Sequence, residues 1–314
     1  MIFSVNLIII MLIFQSIIKM NLFLYFNNWE GIIMKNKWLK ARSFKDLLII
    51  VLVIYGILVT AFYLFQDQLL FRKSSLTEER LQEIETEYPQ AEEVEVEMPD
   101  GIRLHGWLVK AAEEKKTPLL IYFGGNAEEV SGVIEEEERF EGYSLLLVNY
   151  RGYGLSEGQP DEDKILNDAL YLHDHFTSLE SIDSDNVLTM GRSLGTGVAV
   201  HLAANRDLTG VILISPYDSI KNLTQDIFPF LPMELILKHE FDSIAKASDL
   251  EEPVLMLTAE DDRIVPVDYS KALYDQWAGE KEFKMISNRG HNDLHRSEEF
   301  WEYISEFIDK LKNN

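Results

Sequence analysis

Apolar and polar positions follow three different patterns along this chain, and each predicts a different kind of element. Residues 47–65 (LLIIVLVIYGILVTAFYLF) run for nineteen positions without a charge, and at ~1.5 Å per residue such a helix crosses roughly the ~30 Å hydrocarbon core of a bilayer. A core helix is rarely apolar on every face, so the pattern predicts a transmembrane helix. EEVEVEM (92–98) and IRLHGWLV (102–109) alternate like half-exposed strands on either side of Asp100-Gly101, which predicts a hairpin. PLLIYF (118–123), SLLLVNY (144–150), NVLTMG (186–191), GVILIS (210–215) and PVLMLTA (253–259) are continuously apolar, as strands buried on both faces of a mostly parallel sheet are. Helical patterns lie between and after them, near 127–140, 163–176, 194–204, 269–277 and 298–311. A hairpin followed by repeated β–α units predicts an α/β domain: a doubly wound, mostly parallel sheet of about eight strands with helices on both faces.

Charge divides the chain at the same place as hydropathy. Residues 1–66 hold six bases (Lys19, Lys35, Lys37, Lys40, Arg42, Lys45) and two acids (Glu30, Asp46), whereas the whole chain carries −24. The part after residue 66 is therefore strongly acidic. That excludes a protein built to grip phosphate backbones, so no nucleic-acid partner is expected. The bases before the apolar run predict a cytoplasmic N-terminal flank and an acidic body on the extracytoplasmic side. FQDQLLF follows the run where a cleavage site would need small residues, which favours an uncleaved anchor. Two readings of residues 1–33 stand: a further apolar span over 2–26, or a natural start at Met34, whose MKNKWLKARSFKD makes an ordinary basic lead-in. There is no cysteine, which removes disulfides, thiolate metal sites and a cysteine nucleophile.

The pentapeptide G-x-S-x-G occurs twice, as Gly154-Leu155-Ser156-Glu157-Gly158 and as Gly191-Arg192-Ser193-Leu194-Gly195. Chance supplies such a match in about one chain in ten of this length, so its setting must decide. An activated serine belongs on a sharp strand-to-helix turn, with glycines keeping the neighbouring backbone clear. Ser193 directly follows the strand NVLTMG and opens the small-residue helix LGTGVAVHLAA; Ser156 sits well beyond its strand, with Pro160 close behind. Ser193 is the candidate nucleophile and Ser156 a loop serine.

A serine hydroxyl needs a base, and the base an orienting carboxylate. The strand PVLMLTA runs into Glu260-Asp261-Asp262-Arg263-Ile264-Val265-Pro266, at the sheet edge where open α/β sheets place their sites. KEFKMIS then leads into a loop with Gly290-His291-Asn292. The order Ser193, Asp262, His291 is nucleophile, acid, base, with Asp261 as the alternative acid. An oxyanion hole needs two backbone N–H groups. One is expected from Leu194. The other is expected from Asn126, after Gly124 and Gly125 in YFGGNA, where the two glycines let the amides turn inward.

Over 67–314 the chain resembles the α/β-hydrolase superfamily, and more closely the membrane-anchored, single-pass hydrolases related to serine aminopeptidases and dienelactone hydrolases. The resemblance is carried by FQDQLLF, YFGGNAEEV, NYRGYGLSEG, GRSLGTGVAVHLAA, ISPYDSI, DDRIVP and GHNDL. It departs at Gly124, where many relatives carry histidine. The resemblance selects Asp262 through D-x-[IV]-[IV]-P, and implies hydrolysis of an ester, thioester or amide with neither metal nor organic cofactor. The expected organisation is a leader over 1–46, the span at 47–65 and a hydrolase domain over 67–314. The insert at 216–252, which contains DIFPFLPMELILKHEF, is either a small apolar cap lining an acyl pocket or one more helix on the sheet. A small-molecule or lipid-like acyl substrate, or a peptide, is the expected partner, together with the membrane. Serine peptidase activity of the aminopeptidase-like kind is the alternative; a non-catalytic binding module of the same fold ranks below it, because Ser193, Asp262 and His291 are all kept. A phosphate-loop reading of Gly191–Gly197 fails, because no Lys-[Ser/Thr] follows.

Overall fold

The computed structural model describes residues 44–111, 116–140 and 142–312, and the chain separates into two units, Met1–Leu70 and Phe71–Asn314. The expected span at 2–26 and the alternative start at Met34 fall outside the described residues. In the first unit, helix α1 (Phe44–Leu70) contains the apolar run and continues past Phe65 to Leu70. Its stretch Leu48–Leu70 is long and apolar enough to cross a membrane. Ile57 and Leu64 are each 61% exposed.

The second unit begins with helix α2 (Glu78–Glu87) and then builds one sheet. Its strands are β1 (Ala91–Glu97), β2 (Arg103–Val109), β3 (Thr117–Phe123), β4 (Ser144–Val148), β5 (Ile182–Arg192), β6 (Gly210–Ile214), β7 (Val254–Ala259) and β8 (Lys281–Ile286). Their order across the sheet is β1-β2-β4-β3-β5-β6-β7-β8. Only β2 runs against its neighbours β1 and β4; from β4 to β8 every pairing is parallel. The continuously apolar strands β4, β6 and β7 are buried at every position, on both faces. The alternating β1–β2 hairpin turns at Gly101, whose φ of +80° suits glycine alone.

Helices α3 (Glu162–Thr177), α4 (Leu194–Ala203), α8 (Val267–Gln276) and α9 (Glu298–Lys312) connect or cover these strands. One segment departs from its expected form. The helix read at 127–140 is a 3₁₀ helix confined to Val130–Phe140, because the residues before it make a tight turn. Glu128 N–H donates to Gly125 C=O at 3.3 Å, and Ala127 takes φ +62°. The insert at 216–252 forms three short helices, α5 (Ile220–Ile227), α6 (Met233–Ile236) and α7 (Ile244–Ala247). Phe228, Leu231, Met233 and Phe241 are buried within it, whereas Leu235 is 81% exposed.

The strand order decides where a site can form. From β3 the chain crosses to β4 on one side, and later returns to β5 on the other. The carboxyl ends of β3 and β5 lie side by side, with Phe123 opposite Gly191. This reversal opens a crevice between the two following loops, the usual ligand position in open α/β sheets. The Gly124–Asn126 loop leaves β3 there, and Ser193 leaves β5.

Candidate active site

Strand β5 passes into α4 through Ser193, whose backbone takes φ 51° and ψ −114°. A non-glycine residue held so costs of order 1–3 kcal/mol, and surrounding structure must enforce it. Here the enforcement is visible. Ser193 N–H donates to Ile214 C=O at 2.8 Å, and its carbonyl accepts from the Thr196 amide at 3.0 Å and hydroxyl at 2.7 Å. The turn is so tight that both flanking glycines are obligatory. A Cβ on Gly191 would stand 2.3 Å from Gly195 O, and one on Gly195 would stand 2.0 Å from Phe123 O.

His291 Nδ1 lies 2.8 Å from Asp262 Oδ2, and its Nε2 lies 3.0 Å from Ser193 Oγ. All three residues are buried. Asp262 sits just past β7, and its Oδ1 accepts from the Ile264 and Val265 amides at 2.9 and 2.8 Å. Burial opposes its ionisation, but the His291 partner and these two N–H groups outweigh it, holding the carboxyl below its ordinary value. The alternative acid, Asp261, is exposed; its amide holds the histidine loop by donating to Arg289 C=O at 3.0 Å. The Gly290 turn before His291 is closed by its N–H on Asp293 Oδ1 at 2.7 Å.

The loop after β3 approaches the same point. A Cβ on Gly125 would be 3.5 Å from Ser193 Cβ, so the backbone leading into Asn126 passes close to the serine. Among the described residues, neither the Asn126 nor the Leu194 N–H has a hydrogen-bond partner within the protein. Leu194 is the first residue of α4, where backbone N–H groups lack partners inside the helix. A Cβ on Gly124 would press on Val130 Cγ1 at 3.0 Å and touch Glu128 Cδ at 3.6 Å, so a side chain here would require the Val130 side chain to shift. The Gly124 carbonyl is held by the Tyr150 hydroxyl at 2.9 Å.

Sequence reasoning missed a charged bridge behind these residues. Arg192, one position before the serine, reaches Glu128 Oε2 at 2.7 Å. It also donates to Asn292 Oδ1 at 3.2 Å and His291 C=O at 3.5 Å. Glu128 in turn accepts from Gly125 N–H at 2.7 Å and from the Tyr122 hydroxyl at 2.6 Å. Burial works against the Arg192 charge, but Glu128 more than restores it and raises the guanidinium pKa. One ion pair thus ties the Gly124–Asn126 loop, the Ser193 turn and the His291 loop together.

Ser156, the competing serine, is engaged elsewhere. Its buried Oγ accepts from His105 N–H and donates to Asn149 C=O, each at 2.9 Å. Among the described residues, no group of three or more His, Cys, Asp or Glu is arranged to hold a metal ion.

No protein-family model matches the chain. It is 32% identical to an uncharacterised membrane protein of Saccharomyces cerevisiae, over 67% of this chain and 76% of that one. It is 27% identical to the alpha/beta hydrolase domain-containing protein WAV2 of Arabidopsis thaliana, over 70% and 79% of the two chains. With the lysophosphatidylserine lipase ABHD12 of Danio rerio it shares 28% identity, over 64% of this chain and 60% of that one. Among solved structures, Est1E from Butyrivibrio proteoclasticus superposes with a TM-score of 0.60 at 20% identity, covering 71% of this chain and all of its own. The chain belongs to the α/β-hydrolase family.

Proposed function

We propose that this chain is a membrane-anchored serine hydrolase that cleaves a carboxylic ester, thioester or amide through an acyl-enzyme on Ser193. The observation that carries the reading is the continuous line Asp262 Oδ2–His291 Nδ1, His291 Nε2–Ser193 Oγ, at 2.8 and 3.0 Å. With Asp262 ionised and accepting from Nδ1–H, Nε2 is left to take the serine proton. Ser193 Oγ then adds to the substrate carbonyl carbon, and the developing oxyanion turns to the N–H groups of Asn126 and Leu194. Collapse of the tetrahedral intermediate expels the leaving group, which takes the proton held on Nε2. Water, deprotonated by the same nitrogen, attacks the acyl-enzyme; the second collapse frees the acid and returns the proton to Ser193.

The substrate class follows from the anchor and from a relative. A lipid-like acyl ester suits an enzyme tethered by an apolar helix, and the zebrafish relative is named a lysophosphatidylserine lipase. The bases before α1 support an anchor, single-pass or two-pass if 2–26 also spans, with the catalytic unit on the extracytoplasmic side. The test is to label the full chain in detergent with a fluorophosphonate probe and locate the adduct by mass spectrometry. The adduct is expected on Ser193, present in Ser156→Ala and absent in Ser193→Ala. An adduct that persists in Ser193→Ala, or no adduct on folded wild-type protein, would sink the reading.

A further inference from the structure

The four residues that follow α1, Phe71 to Ser74, bind three separate loops around the site. The Phe71 ring packs edge-on against His239 at 5.0 Å and Phe241 at 6.4 Å, both in the 216–252 insert. Arg72 N–H donates to Asn126 Oδ1 at 2.8 Å. Lys73 Nζ bonds Gln159 Oε1, and Ser74 C=O accepts from Gly154 N–H at 2.7 Å. Asn126 Oδ1 has a second donor, the buried Tyr153 hydroxyl, at 3.3 Å. The side chain of Asn126 is thereby fixed at a residue whose own backbone sits in a turn with Ala127 at φ +62°. Holding Oδ1 in one staggered rotamer restrains the Asn126 Cα and N atoms, and with them the place from which the amide points.

We infer that the segment leaving the membrane helix is a positioning element of the catalytic site: Arg72, through its main-chain N–H on Asn126 Oδ1, holds the Asn126 amide aimed at the oxyanion. This rests on the serine-hydrolase reading above. An amide that must meet an oxyanion within hydrogen-bond geometry is sensitive to small displacements, and misplacement by about 1 Å costs on the order of a hundredfold in rate.

The test uses the full chain in detergent, with p-nitrophenyl butyrate hydrolysis and the fluorophosphonate labelling rate as readouts. Asn126→Ala keeps the backbone N–H and removes the acceptor that Arg72 N–H shares with the Tyr153 hydroxyl. Arg72→Pro removes the donor, whereas Arg72→Ala keeps it. We expect kcat and the labelling rate to fall roughly tenfold to a hundredfold in Asn126→Ala and in Arg72→Pro, with KM within about twofold. Arg72→Ala should retain most of what Arg72→Pro loses. The double variant should be no slower than Asn126→Ala, because that change already breaks the bond that Arg72→Pro breaks. If Arg72→Pro does not fold, Asn126→Ala and Tyr153→Phe together decide: kcat lost in the first and kept in the second supports Arg72 as the positioning donor, and equal losses in both overturn it. Unchanged kcat in Asn126→Ala, or a double variant showing the full product of the two losses, would overturn the inference while Ser193 still labels. Absence of label on wild-type Ser193 would instead overturn the nucleophile and the positioning role together.

Discussion

Arg192 and Glu128 meet at 2.7 Å, with their side chains 23% and 17% exposed. Arg192 ends β5 and Glu128 lies in the loop after β3, sixty-four positions apart in the chain. The pair spans the gap between β3 and β5, and its outer hydrogen bonds reach Gly125 on one side and the His291 loop on the other. Arg192→Met leaves the Glu128 charge without its counter-ion. The expected loss is roughly 2–3 kcal/mol of stability, below the figure for a fully buried pair because water still reaches both groups. Glu128→Gln added to Arg192→Met should recover part of it, since the stranded charge is then gone. Urea unfolding midpoints of the two variants and wild type, at constant slope, read this directly.

Acid sensitivity follows from Asp262. Its carboxyl lies below the ordinary value of 3.8 in the folded protein, so the folded state binds this proton less readily than the unfolded chain does. The resulting stabilisation is complete above about pH 4 and is lost as pH falls through the lowered value. Asp262→Asn removes that contribution. Its stability should change less steeply than wild type below about pH 4, in thermal melts taken across an acid series. A slope identical to wild type would contradict the assignment.

Asp262→Asn also separates the two neighbouring acids by function. The amide retains the shape of the carboxylate but presents a different hydrogen-bond pattern to His291 Nδ1, so kcat should drop by about 10⁴. Asp261→Asn changes an exposed group whose contribution to the loop is its backbone N–H, and should leave kcat within about twofold. Steady-state hydrolysis of a short acyl ester by both variants distinguishes them.

The parts of this site legible in the sequence are those written in short-range code. Gly191, Ser193 and Gly195 stand within five positions, and the glycine spacing is dictated by collisions that occur inside the same turn. Asp262 and His291 are found by following strands to their carboxyl ends, where β7 and β8 deliver them. Arg192 and Glu128 had no such code, because each resembles an ordinary surface charge until β3 and β5 are paired. The signal available was a charged residue inside G-x-S-x-G, directly before a buried serine. Arg72 was hidden for a different reason: its contribution is a backbone N–H, which every residue except proline carries. The 3₁₀ segment was overextended because apolar spacing reports a buried face, not the left-handed φ at Ala127 that delays the helix.

Ser156 and Ser193 share a pentapeptide, and their substitutions should have opposite consequences. Ser156→Ala strands the buried His105 N–H, and costs about 1–3 kcal/mol. It should lower the melting temperature while leaving the rate of probe attachment to Ser193 intact at temperatures where the variant is folded. Ser193→Ala removes a hydroxyl whose oxygen lies 3.0 Å from His291 Nε2. It should abolish labelling with little change in melting temperature, because Ser193 N–H and C=O keep the turn closed in either side chain's presence. The two serines are thus separated by two independent readouts. A Ser156→Ala variant that lost its label at full stability would reverse the assignment of the two turns.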